Sequence, residues 1–398
     1  MNTGKTLFSQ LISFAPKYIF NKAVAKYSDK YAARTFSYWD QFLCMAFAQV
    51  THRESLRDIE SSLRSAGTKL FLLGIRGKVS KSTLSDANEK RDWRIFAEFG
   101  QALMKEAQAL YADDELFIEE ISQAVYAMDS TNIDLCLSLF PWARFDPTRA
   151  GIRIDTLLDL NGNLPCFIQV STRKTSELTG MDAVTIYPGS FYIFDRGYFD
   201  WERLYRFSSS LAYFVIRAKK DIKYKRQRSL EIENKDSGVR SDQIILPFSP
   251  RARRHYVGAL RRVTYFDSES GNRFAFFTNH LTLPPEKIAE LYKSRWQIEL
   301  FFKWIKQHLR IKAFYGTSFN AIKIQIWVAI STYLLFAIAK KRLGINVSLY
   351  TFSQTLSVAA FEKTPLIVAF QHINCHSQDE NTGSHSNQLN LFGFPTGQ

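Results

Sequence analysis

The chain has 398 residues, of which 46% are hydrophobic and 15% aromatic, and this composition excludes a largely disordered protein. Its length predicts roughly two or three domains. The formal net charge of +14 favours a polyanionic partner, because clustered Lys and Arg release counterions from a phosphate backbone. A basic protein without a nucleic-acid partner stays an alternative.

The spacing of the cysteines and the length of the apolar segments indicate where in the cell the protein is found. The Cys residues lie far apart and include no C-x-x-C pair, which argues against a disulfide framework and a cysteine zinc site and suits a reducing cytoplasm. The first residues lack the apolar core of a signal peptide. Residues 324–339 are apolar but contain Gln325 and are shorter than a membrane span, so we interpret them as a buried helix. We expect a soluble, cytoplasmic protein with no membrane partner.

The first part of the chain is predicted to be helical. Tyr38–Val50 and residues 54–63 carry apolar residues at helical spacing. After a turn-rich break between residues 67 and 77, Ser and Thr in residues 79–86 can cap a short helix. A short helix after a tight turn is typical of the second helix of a helix-turn-helix, and an ordinary capped surface helix is the alternative.

Two aspartates follow apolar strand candidates. Residues 124–128 end in Asp129, and residues 190–194 end in Asp195. An Asp at the carboxyl end of a buried strand stands where open sheets place their sites, although a single one often only caps a turn. Further strand candidates are residues 133–139, 152–160 and 165–170, and a helix is expected from Tyr198. This order predicts a mixed sheet with helices on its faces.

Residues 211–279 are predicted to form an all-β insert. Its strand candidates are residues 211–217, 243–247, 256–266 and 273–278. Between the first two lies a basic run, for which we favour a non-specific phosphate track over a solvated hairpin loop. The run consists of Lys219, Lys220, Lys223, Lys225, Arg226 and Arg228.

Residues 285–310 are predicted to form one helix with a polar stripe, and a second long helix is expected at residues 319–341. At about 100° per residue, four side chains fall within a stripe roughly 60° wide. They are Tyr292, Arg295, Glu299 and Lys306. Such a stripe suits a functional face, and a solvated face of salt bridges is the alternative.

Three carboxylates in this pattern suit metal-dependent phosphodiester chemistry. Cleavage without a covalent intermediate needs an activated water and a stabilised leaving oxygen, and two divalent ions can provide both. Mg²⁺ prefers hard oxygen ligands, which Asp129, Asp195 and Glu299 would provide. Arg295 and Lys306 would hold phosphates, the first through a bidentate fork and the second as a point charge.

The spacing from Tyr292 to Lys306 resembles the Y-(2)-R-(3)-E-(6)-K signature of bacterial insertion-sequence transposases, specifically the insertion sequence four family. Asp129 in Asp-Ser-Thr is similar to the first acidic motif of that family, and Asp195 in Asp-Arg-Gly-Tyr is similar to the second. Residues 53–58 and 82–88 resemble the helical leader found before many of these catalytic domains. The resemblance covers nearly the whole chain except its tail.

The resemblance implies an α/β fold with a ribonuclease H-like catalytic core interrupted by a β-rich insertion and preceded by an α-helical N-terminal domain. The implied division places a DNA-binding domain at residues 1–118 and the core at 119–208 and 281–372. The insertion takes residues 209–280, and a flexible tail takes residues 373–398.

The resemblance also implies the reaction and its partners. Asp129, Asp195 and Glu299 would bind Mg²⁺, with Mn²⁺ as a substitute, in cut-and-paste transposition of double-stranded DNA. The protein would act as a homodimer that pairs the element ends. Tyr292, Arg295 and Lys306 would contact terminal DNA around a flipped base. The receptor candidates for that base are Trp296, Trp201 and Tyr256, each of which a hydrophobic core also explains.

The end of the chain carries a further motif. The sequence from Gln388 to Phe392, QLNLF, resembles the peptide by which bacterial proteins dock on the replication sliding clamp, and packing of the tail on its own core is the alternative. Two functional alternatives also stay open. One is a catalytically silent DNA-binding inhibitor of transposition, and the other is a ribonuclease H-like nuclease that cuts but does not join.

Overall fold

The computed structural model describes residues 4–28, 35–112, 121–309 and 314–376. The helices are α1 (Leu7–Ile12), α2 (Lys17–Tyr27), α3 (Tyr38–Val50), α4 (Leu56–Ala66), α5 (Lys81–Lys90), α6 (Arg94–Tyr111), α7 (Leu178–Ala183), α8 (Trp201–Ser209), α9 (Pro250–His255), α10 (Pro285–Ser294), α11 (Trp296–His308), α12 (Phe319–Arg342), α13 (Leu349–Ala359) and α14 (Leu366–His376). The strands are β1 (Val125–Leu135), β2 (Ala150–Asp159), β3 (Leu164–Thr172), β4 (Phe191–Phe194), β5 (Tyr213–Arg217), β6 (Tyr224–Ser229), β7 (Val239–Pro247), β8 (Leu260–Asp267) and β9 (Asn272–Thr278).

The chain forms two compact units. The helical unit comprises the described parts of Met1–Asp113, Ile133–Gly151 and Phe301–Ser384, and the sheet unit comprises the described parts of Asp114–Asn132 and Ile152–Leu300. The fold is therefore mixed α/β, as the sequence predicts.

The helical unit is built around α12, which packs against α3 and α6. By length and composition α12 could cross a membrane, but 94% of its most apolar window is buried inside the protein. Gln325, Ser331 and Thr332 are buried with it. The prediction of a buried helix is confirmed, and α12 matches the helix expected at residues 319–341 to within one residue. It begins after Ser318, whose side chain accepts a hydrogen bond from the backbone N–H of Ala321.

The N-terminal helices follow the sequence pattern closely. Helix α3 has the predicted bounds because Ser37 and Asp40 form a reciprocal capping box at its start. Helix α4 begins after Ser55, and α5 begins after Ser80, each of which accepts a hydrogen bond from a backbone N–H of the first turn. The helix-turn-helix role of α5 stays a prediction.

The described strands form a nine-stranded sheet with the order β3-β2-β1-β4-β5-β9-β8-β7-β6. Strands β1 and β4 pair in parallel, as do β4 and β5, while the pairs from β5 to β9 and onward to β6 are antiparallel. The strands predicted for the insert therefore continue the sheet that begins with β3. An apolar cluster under β1, β4 and β5 includes Met128, Tyr192, Phe194, Phe207 and Phe214.

Three local predictions need correction. Asp129 does not end its strand, since β1 continues to Leu135. No strand was predicted within the basic run, but part of it forms the exposed strand β6, because its backbone pairs with β7, so the alternative of a solvated loop does not describe it. Residues 256–259 precede strand β8, because Tyr256 closes the short helix α9 instead.

The fourth correction concerns the helix predicted over residues 285–310, which is interrupted at Arg295. The N–H of Arg295 bonds to the carbonyl of Tyr292, and the N–H of Ile298 bonds to the carbonyl of Arg295, so both bonds span three residues instead of four. The Ser294 hydroxyl also donates to the carbonyl of Leu291 at 2.7 Å, and such bonds compete with regular helical bonding.

Candidate active site

The first two candidate carboxylates are brought together by strand register. Met128 on β1 lies opposite Phe194 on β4 in the parallel pair, and these are the last paired residues. Asp129 and Asp195 each come directly after this pair. Although Asp129 lies within its strand, the two aspartates therefore leave the paired region at the same edge, as the sequence predicts.

The segment at the α10–α11 break contributes the remaining side chains. Tyr292 is buried near the end of α10, where its ring packs 4.7 Å from that of Phe276 on β9. Arg295 occupies the break itself, and Glu299 lies in the first turn of α11. Phe276 thus fixes Tyr292 against the sheet, and the break sets the positions of the two charged residues that follow.

Direct contacts join these side chains to both aspartates. Arg295 donates through Nη1 to Oδ2 of Asp129 at 2.9 Å and through Nη2 to Oε1 of Glu299 at 2.5 Å. Tyr292 donates through its hydroxyl to Oδ1 of Asp195 at 3.1 Å. The second Asp129 oxygen accepts the backbone N–H of Ser130 at 2.8 Å. Five residues that the sequence assigns to one site therefore form one cluster in the sheet unit.

The electrostatics of the cluster reflect partial burial. Removal from water raises the pKa of Asp129 to about 6, against the opposing effect of Arg295, and the nearby Asp195 and Glu299 raise it further. Burial alone would lower the pKa of Arg295, but the surrounding acidic groups outweigh burial and raise it. Burial raises the pKa of Tyr292 to about 12, so the phenol keeps its proton. The site thus concentrates negative charge around one arginine.

The donor chemistry of this cluster fits a divalent cation. Carboxylate oxygens are the hard ligands that Mg²⁺ and Mn²⁺ accept. Within the described ranges, no three Asp, Glu, His or Cys side chains are grouped so that they could hold a metal ion as they stand. In this arrangement the Arg295 guanidinium supplies the positive charge between Asp129 and Glu299.

Other predicted site residues lie outside this cluster. Lys306 lies on α11 but belongs to the helical unit, so its part in the signature stays a prediction. Trp201 and Tyr256 pack in the apolar cluster with ring centroids 6.0 Å apart, and the Tyr256 hydroxyl bonds to Ser208. Trp296 opens α11 and is half-buried. The clamp motif from Gln388 to Phe392 lies outside the described residues.

A basic cavity of about 520 Å³ is lined by Arg196, the residue that follows the second aspartate in the chain, and by residues of the predicted insert. Lys219 and Lys220 of the basic run contribute to its wall, and the other four basic residues of that run are exposed. The guanidinium of Arg217 stacks 4.9 Å from the ring of Phe274, and that of Arg262 stacks 5.2 Å from Tyr224. None of the described lining residues is acidic. The lining also includes Arg240 and Arg273.

Sequence reasoning missed most of these arginines as one site. Arg217, Arg240 and Arg273 come from three different strand ends or edges, and they meet only because β5, β7, β8 and β9 are neighbours in the sheet. No shared local pattern marks them: Arg217 follows an apolar run, Arg240 lies in a strand without aromatic residues, and only Arg273 adjoins an aromatic residue, Phe274.

Comparison with known families identifies the class of protein. A family described as "Transposase DDE domain" matches residues 121–335, which is more than half of the chain and includes all three candidate carboxylates. The chain therefore belongs to the DDE transposase family. A second family, described as a domain of unknown function, matches residues 3–76.

Curated relatives carry the same description. The chain is 29% identical over 282 residues to a putative transposase from Sinorhizobium fredii, covering 70% of this chain and 77% of the relative. It is 30% identical over 289 residues to a putative transposase for an insertion sequence element of Synechocystis, covering 69% of this chain and 76% of the relative. Among solved structures, it is similar to the piggyBac transposase synaptic complex with hairpin DNA, at 12% identity, a TM-score of 0.46 and coverage of 94% of this chain and 80% of that chain.

Family membership defines the general activity. The protein is an insertion-sequence transposase of the DDE type, an enzyme that cleaves DNA strands and transfers them with the help of a divalent metal ion. The predictions of transposition, of enzymatic activity and of DNA as the partner are confirmed at this level.

Proposed function

We propose that this protein binds the terminal inverted repeats of its insertion sequence and moves the element by Mg²⁺-dependent cut-and-paste transposition. The observation that carries the proposal is the clustering of Asp129, Asp195 and Glu299 through Arg295 and Tyr292. The Arg295 guanidinium on Asp129 and Glu299, together with the Tyr292 hydroxyl on Asp195, suits a site in which anionic substrate and cations meet.

A ribonuclease H-like core is part of this proposal. The order β3-β2-β1-β4-β5, with an antiparallel β2–β3 hairpin and parallel β1, β4 and β5, supports such a core. Strands β6 to β9 would then form the β-rich insertion, built onto the edge of the core sheet at β5, so the proposed insertion begins after Arg217 instead of at residue 209. Residues 1–118 would form the DNA-binding leader.

The proposed chemistry assigns a task to each residue. Asp129, Asp195 and Glu299 would hold the metal ions. The chemistry supplied when divalent cations are bound is activation of a water and stabilisation of the leaving oxygen. Arg295 would hold a phosphate beside the scissile bond through its fork, and the Tyr292 hydroxyl would orient Asp195. The Ser130 amide would fix the rotation of the Asp129 carboxylate.

The basic cavity and run would bind the DNA backbone. The cavity is lined by several basic side chains and by no acidic residue among those described. The basic residues include Arg217, Arg262, Lys219 and Lys220. Phosphate contacts of this kind position DNA without reading its sequence. Two partner predictions belong to the same proposal: a homodimer in the complex with DNA, and a sliding-clamp contact through the peptide that ends at Phe392.

Cleavage of an end-bearing duplex tests the proposal. The substrate is a duplex copied from the inverted repeats that flank the gene, and it is incubated with Mg²⁺ or with EDTA. We expect metal-dependent nicking at the repeat boundary and joining of the freed 3′ end to target DNA. Glu299→Gln should reduce nicking by well over ~100-fold, since loss of mere supporting groups around a metal costs about 10–100-fold.

Glu290→Gln is the matched control, because Glu290 lies on α10 and pairs with Lys287 rather than with the cluster. This variant should cleave like the wild type. Nicking without joining would point to a nuclease. Binding without cleavage under every metal condition would contradict the three-carboxylate mechanism and favour a silent DNA-binding protein.

A further inference from the structure

Arg295 occupies the position in the site where positive charge is needed most. Its two terminal nitrogens bond to Asp129 and to Glu299, two of the three candidate metal ligands. Its side chain is only 15% exposed, and Nε is buried with no hydrogen-bond partner within the described residues. The guanidinium is thus held at this point by the two carboxylates.

The third carboxylate is also engaged by a residue of the same segment. Asp195 accepts the Tyr292 hydroxyl at 3.1 Å, so each of the three carboxylates has a partner supplied by residues at the α10–α11 break. Consistent with this engagement, no three potential ligands within the described chain are grouped to hold a metal as they stand. A cation that takes the position between Oδ2 of Asp129 and Oε1 of Glu299 has to displace the Arg295 guanidinium, which bonds to both of these oxygens.

We propose that Arg295 blocks the metal centre in the DNA-free protein and is drawn away from the carboxylates when a DNA phosphate becomes its partner. This inference rests on the proposed function, because it takes Asp129, Asp195 and Glu299 as the metal ligands. It assigns Arg295 a second role beyond holding DNA, namely coupling metal binding to the presence of substrate.

Phosphate is the chemical class suited to this exchange. The planar guanidinium fork matches the oxygens of a carboxylate and of a phosphate in the same bidentate manner, so one ligand can replace the other without loss of hydrogen bonds. The Arg295 guanidinium and a divalent cation compete for the same carboxylates, so each weakens binding of the other. When a DNA phosphate takes the guanidinium away, the affinity of the carboxylates for the metal ion is restored. The expected result is a transposase whose metal centre assembles on DNA and stays incomplete away from it.

Mn²⁺ affinity of the full chain without DNA tests the block directly. Free Mn²⁺ is measured by electron paramagnetic resonance during titration, a readout that does not depend on catalysis. Arg295→Gln should bind Mn²⁺ at least about tenfold more tightly than the wild type, within the range typical of coupled sites. A duplex copied from the flanking inverted repeats should raise wild-type affinity towards that of the variant and change the variant much less.

A matched control and a second variant separate charge from position. Arg203→Gln removes another arginine that holds a carboxylate through a fork, here Asp182 at 2.8 Å for both bonds, and should leave Mn²⁺ affinity unchanged. Arg295→Lys keeps the charge but loses the fork that spans both carboxylates, so its affinity should be intermediate. If Arg295→Gln does not fold, the result for Arg295→Lys decides.

The outcomes distinguish failure of the block from failure of the metal centre. Equal or weaker Mn²⁺ binding by folded Arg295→Gln, with binding abolished by Asp129→Asn, would overturn the block and leave the centre intact. Mn²⁺ binding that survives Asp129→Asn in the Arg295→Gln background would overturn the three-carboxylate centre and the block together.

Discussion

Asp155 on β2 is a buried carboxyl group close to the active-site strand. It is 1% exposed, and neither of its carboxylate oxygens has a hydrogen-bond partner within the described chain. Its side chain packs against Gly180 of α7. A Cβ atom at position 180 would lie only 3.1 Å from the Asp155 side chain. Burial raises the pKa of Asp155 to about 7, against the attraction of Arg153, and Glu177 and Asp129 raise it further. Ionising this group therefore destabilises the folded state.

The pH dependence of stability should reveal this cost. Because the folded-state pKa is raised, Asp155 binds a proton more tightly in the folded than in the unfolded chain, and stability falls as pH rises from about 4 to about 7. Asp155→Asn should remove this loss. The free energy of unfolding of the variant, relative to the wild type, should therefore increase between pH 4 and pH 7 by up to ~4 kcal/mol and stay constant above pH 7.

Denaturant unfolding at a series of pH values measures the difference. Asp86→Asn, which changes a carboxyl group that is 71% exposed, is the control and should show no comparable trend. A constant difference between Asp155→Asn and the wild type from pH 4 to pH 8 would contradict the assignment.

Asp129 and Asp155 differ in whether their environment can be predicted from the local sequence. Asp129 follows an apolar run and repeats the pattern of Asp195, so its role could be proposed from local sequence. Asp155 lies in the middle of β2, a strand that is buried along nearly its whole length. Polar and apolar residues do not alternate regularly there, so the sequence does not mark Asp155 as a special position. Its environment depends on α7, which packs over it from elsewhere in the chain.

Strands β7 and β8 are joined by a buried ion pair that no pattern in the sequence announces. Arg261 bonds to Asp242 through Nε at 2.8 Å and Nη2 at 2.5 Å, with side-chain exposures of 4% and 1%. Arg261 also donates to the carbonyl of Leu283, just before α10. The pair therefore connects the strands of the predicted insert to the chain leading into the active-site helix.

Breaking this pair should be costly because it leaves a buried, unpaired guanidinium. Asp242→Ala should destabilise the protein by about 3–5 kcal/mol, as measured by urea unfolding. Asp221→Ala, at an exposed position in the same segment, should change stability by less than about 0.5 kcal/mol. A loss below about 1 kcal/mol for Asp242→Ala would show that Arg261 finds another partner.

At the scale of elements, the helix predicted over residues 285–310 begins where predicted and ends at His308, but it is not continuous. Periodicity assumes a regular helix, and it placed Tyr292, Arg295 and Glu299 on one stripe. The structure keeps these three side chains in one cluster even though the helix is interrupted, because both bonds at the break span three residues and stay helical in direction. At the break the Ser294 hydroxyl donates to the carbonyl of Leu291, a contact that a helical wheel does not represent.

For the whole molecule, the order of strands was the feature that sequence could not supply. Strand positions were predicted for most of β1 to β9, but the union of core and insert in one sheet depends on the pairing of β5 with β9. That pairing joins residues 215–217 to residues 276–278, and strands β6, β7 and β8 lie between these two segments in the chain. Local patterns indicate strands but not distant partners, so the basic cavity also stayed hidden.

The net charge of +14 gives the last prediction, because it allows two interpretations that salt can separate. If the basic cavity binds phosphates, each lost contact should lower the slope of log affinity against log salt by about 0.9 for duplex DNA. The variant Arg240→Gln plus Arg273→Gln removes two exposed arginines of the cavity and should reduce the slope by up to ~2. Lys174→Gln plus Lys363→Gln removes the same charge from exposed positions outside both the cavity and residues 1–118, and is the control. Equal slopes for both variants in fluorescence anisotropy titrations would mean that net charge alone attracts DNA, whereas a reduction confined to the first would identify the cavity as the place where the backbone lies.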